Sequence, residues 1–280
     1  MPAVPKLFTP DHGKVCAMKI LVTVKEVAEA ADDFEIEGTD IGTQFLEYDL
    51  NEWDDYAVEA AVQLSESYDD VEVVSATIGP ERSEETIRMA LAKGVDRAVR
   101  VWDDDIAAAE LDVAAKTRLF AAVVDEEEPD LVLSGVQAAD DGFGATGVSL
   151  ADEIGFDWAA VVNHLETEDD LSTAHVHREL EGGIEELTDV DFPAVLTIQT
   201  GLNEPRYASL RGIRQAQSKE IAELGLADLA LDADAVASPI SRTGMYEPET
   251  ESDATYFDGA ADEQAAQLAD VLRDKGVVSE

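Results

Sequence analysis

The chain is expected to fold as an α/β protein on one doubly wound, mostly parallel sheet. Three observations lead there. Over the first half, β-branched apolar runs alternate with helical segments of roughly 10–20 residues. The apolar runs are continuous, as strands buried on both faces must be. From Trp158 the rhythm changes to strand-like stretches joined by short turns, which predicts antiparallel additions.

In chain order, Lys19 to Val27 (KILVTVKEV) reads as the first buried strand. Residues 28–50 are polar and irregular, with room for short strands. Asn51 to Ser65 is a helix: Asn51 stands at the N-cap, and Tyr56, Ala60, Val62 and Leu64 recur near the helical period. Asp70 to Ile78 is a second buried strand, stopped at Gly79-Pro80. Ser83 caps the helix SEETIRMALAKG, whose first turn is acidic and whose stop is Gly94. Arg97 to Val101 is a short strand. Ala107 to Asp125 is one helix with Leu111, Leu119 and Val123 among its apolar positions. Pro129 separates it from a strand at Asp130 to Val136, and Gly144 to Ile154 is a helix closed by Gly155. WAAVVNHLETE, STAHVHREL, GGIEELT and PAVLTIQT complete a Rossmann-like domain over residues 18–201.

Residues 202–221 form a loop and a following helix. Beyond them the chain is Ala/Asp/Glu/Leu-rich without a firm period until a terminal helix at Asp262 to Lys275. Residues 222–280 are therefore expected to be an extended arm that lacks a core of its own and is either disordered or lies against another chain. Met18 opens the first convincing element, so residues 1–17 are expected to be a disordered leader or not to be translated.

A length of 280 residues at 45% hydrophobic suits one large domain with an appendage. No apolar run approaches the roughly 20 residues that span a bilayer, and the start lacks an apolar signal core. The single Cys16 excludes an internal disulfide. A cytoplasmic chain without membrane insertion is expected. The net charge of −44 and pI near 4.1 would repel nucleic acid and anionic lipid. The acid is spread through the chain (Asp103–Asp105, Glu126–Glu128, Asp169–Asp170, Glu249–Asp253). That spread favours adaptation to a halophilic interior, where screening shortens to about 3 Å near 1 M salt, over one specific cationic partner.

Ligands of open α/β sheets bind at the carboxyl ends of the strands, near helix N-termini. Three such ends carry unusual residues: Lys25, Gly79 with Pro80, and the segment SGVQAADDGFGATG from Ser134 to Gly147. Gly142, Gly144 and Gly147 let the backbone approach a phosphate, Thr146 adds a hydroxyl and Gln137 an amide. Lys25 suits a carboxylate or phosphate partner. Asp140 and Asp141 would oppose a bare phosphate and better suit a ribose hydroxyl, a cation or a cap; a plain turn with both as N-caps is the competing reading. The pattern is neither GxGxxG with a distal acid nor a Walker loop. His175 and His177 share a face of one strand, but they and His164 lack a third ligand, so no metal site is expected. Ser134 and Ser149 have no evident base, so no catalytic residue is assigned.

The other unusual stretch is LNEPRYASLRGIRQAQSKEI, Leu202 to Ile221. Pro205 stops regular structure. Arg206, Arg211, Arg214 and Lys219 then make a basic island, with Tyr207 and Leu210 between them. An apolar side chain at the tip of a basic loop fits contact with another protein. Pro205, Arg206, Tyr207, Leu210 and Arg211 are the candidate recognition residues.

Five ordered segments resemble one family. MKILVTVKEV, NEWDDYAVEAA, TIGPERSEETIRMALAKGVDRAVRV, GVQAADDGFGATG and LNEPRYASLRGI are similar to segments of the beta subunit of electron transfer flavoproteins, here in a strongly acidic, haloarchaeal-type form. The resemblance covers Met18 to about Ile221. It implies a non-catalytic carrier paired with an alpha subunit that holds the redox-active FAD. The beta subunit of the common type holds AMP; that of the electron-bifurcating type holds a second FAD and serves NADH oxidation. Electrons would come from acyl-CoA or related dehydrogenases, in fatty acid oxidation, and pass to a membrane quinone oxidoreductase. By position, Thr23, Asn51, Ile78, Asp141 and Thr146 would border AMP, Trp53 would lie near the flavin ring and Leu210 would be the recognition leucine. The nucleotide loop departs from both types: Gly144 and Ala145 stand where the common type has Asn and Gln, and Asp141, Phe143, Ala145 and Thr146 depart from the bifurcating pattern. A free-standing nucleotide-binding protein is the third reading, opposed by the basic loop and the tail.

Overall fold

A computed structural model describes residues 18–248 and 254–277. The expectation for residues 1–17 lies outside the described residues. Residues up to Thr243 form one compact unit, and residues from Gly244 form a second.

In the first unit, β1 (Met18–Thr23) leads to a small excursion made of β2 (Glu26–Ala30), β3 (Ile36–Glu37), β4 (Asp40–Ile41) and β5 (Leu46–Leu50). Then come α1 (Glu52–Ser67), β6 (Val71–Ile78), α2 (Glu84–Lys93), β7 (Arg97–Val101), α3 (Asp104–Ala107), α4 (Val113–Glu127), β8 (Leu131–Gly135) and α5 (Thr146–Ile154). The chain continues through β9 (Asp157–Thr167), β10 (Thr173–Leu180), β11 (Ile184–Asp191), β12 (Ala194–Ile198), α6 (Leu210–Ala216) and β13 (Ile221–Leu224).

Nine strands form one sheet in the order β11-β10-β9-β12-β8-β1-β6-β7-β13. All neighbours are parallel except β9–β10 and β10–β11. The parallel sheet and its antiparallel additions agree with the fold class expected from the sequence. From β1 the chain winds outward through β6 and β7, and then from β8 through β12 in the other direction. The strand order therefore reverses between β1 and β8, where a doubly wound sheet opens a crevice.

Alternate residues of each central strand supply two cores. Ile20 and Val22 of β1 pack with Ala57, Val58 and Ala61 of α1 and Ile87 and Leu91 of α2. Leu21 points the other way, to a core with Leu119 and Val123 of α4 and Leu150 of α5. This two-sided burial is why the strands read as unbroken apolar runs.

Three local expectations need correction. The single helix expected over Ala107 to Asp125 is two, because each of two aspartates caps its own start. Asp103 Oδ1 accepts the Ile106 N–H at 2.9 Å, and Asp112 Oδ1 accepts that of Ala115 at 2.8 Å. Asn51 and Ser83 stand at N-cap positions, yet neither side chain caps its helix. Ser83 Oγ instead donates to Glu26 Oε1 at 3.1 Å, and the Asn51 amide is used at the site described below. The boundary expected at residue 222 also falls inside the sheet. β13 pairs with β7, and Leu226, Leu229 and Val236 are buried in the second core. Their irregular spacing concealed a core role because this stretch follows the sheet edge in turns and a short 3-10 segment at Ala233–Val236, not in a periodic element.

The second unit contains α7 (Ala261–Asp274). Its start is fixed by the Ala260 N–H donating to Glu263 Oε2 at 3.0 Å. None of its described side chains is buried, although Leu268, Val271 and Leu272 lie on one face at helical spacing.

Candidate functional site

The crevice between the carboxyl ends of β1 and β8 is a cleft whose empty space, open mouth included, is about 670 Å³. Its floor comes from Thr23 at the end of β1 with Val24 and Lys25 after it, Ile78 at the end of β6, and Ser134 to Val136 at the end of β8. One wall is α4, through Leu111 just before it and Lys116 and Phe120 within it. The other is the loop to α5, through Gln137, Ala138, Asp141, Gly144, Ala145 and Thr146.

The start of α1 ties these parts together. Asn51 is buried and its amide does two things: Nδ2 donates to the Gln137 carbonyl at 2.9 Å, and Oδ1 accepts the Ala139 N–H at 3.2 Å. Asp54, 4% exposed, spans the crevice. Its two oxygens accept the N–H of Lys25 at 2.8 Å and of Gly135 at 2.9 Å, joining the ends of β1 and β8. Burial pushes the Asp54 carboxyl up to about 7, against the pull of those two backbone amides and of Asn51. Space there is tight: a Cβ on Gly135 would come within 2.7 Å of Trp53 Cβ.

Charge at the mouth is balanced. Lys25 Nζ pairs with Asp140 and, at 2.9 Å, with Asp141, and Lys116 Nζ reaches Asp141 at 3.0 Å. Burial pushes the Asp141 carboxyl up, but hydrogen bonds from Lys25 and Lys116 outweigh it and hold the group at about 2. The two aspartates therefore do not cap α5. The N-cap is Ala145, no side chain serves it, and Asp141 Oδ1 accepts only the nearby Phe143 N–H at 3.2 Å. An uncapped helix start presents free N–H groups and about half a positive charge to the cleft. Gly144 sits at φ +59°, where a side chain is strained, and its Cβ would lie 3.3 Å from the Val136 carbonyl.

Of the residues expected from the sequence, Thr23, Lys25, Asn51, Ile78, Gln137, Asp141, Gly144 and Thr146 line this one cleft. Gly79, Gly142, Gly147 and Trp53 are not in its lining. Gly79 makes room for the Ser83 side chain, Gly142 lies at φ +62° in open space, and Gly147 lets α5 approach the sheet, since a Cβ would fall 2.7 Å from Thr197 Cγ2. Trp53 faces the end of β12, where Nε1 donates to Gln199 Oε1 at 3.0 Å. The sequence reading missed Asp54, Lys116, Leu111 and Phe120. Lys116 had a signal: lysines are scarce here, and this one stands in the first turns of α4, among Ala114, Ala115 and Leu119.

The second candidate region is the stretch before α6. Tyr207 is 98% and Leu210 77% exposed, and Arg211 is exposed beside them. Pro205 is half-buried. Arg206 is not a free cation, because it folds back onto Glu59 and Glu66 of α1. His164 and His177 stack with ring centroids 4.5 Å apart, and His175 bridges Glu168 and Asp189. Among the described residues no group of three or more His, Cys, Asp or Glu is placed to hold a metal. None of the described helices is long and apolar enough to cross a membrane.

The electron transfer flavoprotein domain family matches over residues 41–229, two-thirds of the chain. This chain belongs to the electron transfer flavoprotein family. Its relatives place it with the beta subunits. The beta subunit from Methylophilus methylotrophus is 47% identical over 263 residues, spanning 92% of this chain and 98% of that one. The Homo sapiens beta subunit is 34% identical over 244 residues, 84% and 94% of the two chains. The Bacillus subtilis one is 31% identical over 262 residues, 93% and 100%. Family membership makes this chain an electron-transfer component associated with flavin rather than an enzyme in its own right.

Proposed function

We propose that the chain is the beta subunit of a heterodimeric electron transfer flavoprotein. It would hold AMP in the crevice between β1 and β8 and share with an alpha subunit the site of the redox-active FAD. The observation that carries this reading is the cleft itself: it lies at the point of strand reversal and is closed by a glycine-bearing loop onto the uncapped start of α5. The donor set fits a nucleoside monophosphate. The free N–H groups of α5 and the Thr146 hydroxyl suit phosphate oxygens, and Lys25 and Lys116 neutralise the acidic pair that would otherwise repel them. Ile78, Leu111 and Phe120 offer apolar surface for a base. The bound flavin supplies the redox chemistry; this chain's residues bind, orient and exclude water. Tyr207 and Leu210 would meet acyl-CoA or related dehydrogenases, the electrons would leave to a membrane quinone oxidoreductase, and residues 244–280 would pack on the alpha subunit. The spread of acidic residues supports a haloarchaeal-type, cytoplasmic protein.

The test is to co-express the chain with its alpha partner in high salt, denature the complex and count nucleotides by chromatography. One FAD and one AMP per heterodimer is the expected result. Two FAD would replace this reading by the bifurcating, NADH-oxidising subunit, and no nucleotide beyond the alpha subunit's FAD would remove the role assigned to the cleft.

A further inference from the structure

We propose that Arg206 is a positioning residue: its guanidinium, forked onto Glu59 and Glu66, sets the direction in which Tyr207 and Leu210 are presented to the partner dehydrogenase. The inference rests on the docking role proposed above for those two side chains.

The geometry is unusually complete for a loop. Arg206 Nε and Nη2 reach the two oxygens of Glu59 at 2.8 and 3.1 Å, and Nη1 and Nη2 reach those of Glu66 at 2.6 and 2.9 Å. Both carboxylates are thus engaged bidentately, the arrangement in which arginine fixes direction as well as charge. The Arg206 backbone N–H also donates to Glu59 Oε2 at 3.1 Å, so one carboxylate holds both the side chain and the main chain. Glu59 is 5% exposed and takes a further bond from Gln63 Nε2 at 2.8 Å, so it is a fixed post on α1. Burial pushes the Glu59 carboxyl up, but hydrogen bonds from Arg206 and Gln63 outweigh it, and hydrogen bonds from Arg206 likewise hold Glu66 below its ordinary range.

Two further ties complete the frame. Asn203 Nδ2 donates to the Tyr56 carbonyl at 3.0 Å. At the far end α6 lies so close to α2 that a Cβ on Gly212 would collide with the Ala92 carbonyl oxygen. Between these anchors Glu204, Tyr207, Ser209, Leu210 and Arg211 are exposed, and Tyr207 and Leu210 are the large apolar side chains among them. A loop that is ordered before contact loses less freedom on binding, and each side chain so fixed is worth roughly a factor of two to ten in affinity.

The test uses the heterodimer as electron acceptor for a reduced acyl-CoA dehydrogenase from the same organism, with KM and kcat measured separately. Arg206→Ala alone strands Glu59 as an unpaired buried charge, so the working variant is Arg206→Ala with Glu59→Gln. The expected result is a KM raised about tenfold, kcat and nucleotide content unchanged, and faster amide exchange at residues 207–213 but not in α4. Adding Leu210→Ala to that variant should cost less than Leu210→Ala costs alone, because the leucine is then no longer aimed. Arg206→Lys, which keeps the charge without the fork, should fall between the two. If Leu210→Ala slows reduction while the Arg206 variant does not, or if their effects simply add, the positioning role is refuted and the docking reading stands. If Leu210→Ala itself has no effect, both fall.

Discussion

Asp54→Asn tests the wiring of the cleft through pH. Asp54 joins the ends of β1 and β8, and its burial raises the carboxyl from 3.8 to about 7. The sign follows from linkage. Between about pH 4 and pH 7 the folded chain keeps a proton that the unfolded chain has released, so stability falls as pH rises through that window and is level above it. At about 1.4 kcal/mol per pH unit, this one group should remove roughly 3–4 kcal/mol of stability from acid to neutral pH. Asparagine does not titrate. It also turns an NH₂, which cannot accept, toward one of two backbone N–H groups that in acid donate to the oxygens of the protonated carboxyl, so the variant should be less stable by about 1–3 kcal/mol in acid. The informative quantity is the difference between variant and parent, because every other titration, including relief of the acidic surface's repulsion, cancels in it. Urea unfolding in high salt at several pH values from 4.5 to 8 would measure it. The Asn variant should be at its worst near pH 4.5 and should draw level with or overtake the parent near pH 7.5. Parallel stability curves would refute the argument, because they would mean that Asp54 titrates alike in the folded and unfolded chains.

Three other perturbations follow from the same structure. Gly147→Ala places a methyl 2.7 Å from Thr197 Cγ2; it should cost about 1–3 kcal/mol in thermal unfolding and lower bound nucleotide by pushing α5 off the sheet, and full nucleotide retention would detach α5 from the site. Removing residues 244–280 should leave the melting temperature of the first unit nearly unchanged, since its own core ends by Thr243, while weakening heterodimer association about tenfold or more by analytical ultracentrifugation; equal association would exclude the arm from the interface. Dialysis from about 1 M to about 0.1 M salt lengthens screening from about 3 to about 10 Å around a chain of net charge −44, so the melting temperature should drop steeply, and a flat response would count against salt adaptation.

The central sheet was legible because its strands are buried on both faces, which leaves an unmistakable apolar run at Ile20, Leu21 and Val22 or at Leu131, Val132 and Leu133. The cleft was legible where backbone chemistry demands a residue type, as at Gly144 with φ +59°; the cleft role of Asn51 came only through the family resemblance. It was illegible where a side chain acts at a distance in sequence. Asp54 looks like one more acid in NEWDD, and only the fold brings it to Gly135, 81 positions away. Lys116 is paired with Asp141 by the crossing of α4 past the loop, which no local pattern encodes. The caps failed for a related reason: Asn51 and Ser83 hold cap positions, but the tertiary structure found more distant partners for both.

The basic island at Arg206 to Lys219 looks different once its charges are traced. Arg206 is spent on Glu59 and Glu66, and Lys219 Nζ donates to the Val95 carbonyl, where burial lowers its pKa. Arg211 and Arg214 are the two of the four that remain exposed, beside an outward apolar stripe of Leu210 and Ile213 with Tyr207 next to it. Two free cations cannot steer a chain of this net charge from afar, least of all under screening of about 3 Å. The apolar stripe must therefore supply most of the contact, with the arginines acting only at touching distance. Arg211→Ala should change the rate of reduction by a dehydrogenase less than about threefold at 1 M salt, as a rim charge does. Leu210→Ala should slow it about tenfold or more, as truncation of a central apolar anchor does. The reverse ranking would make the loop an electrostatic site after all and would move its energetic centre from Leu210 to Arg211.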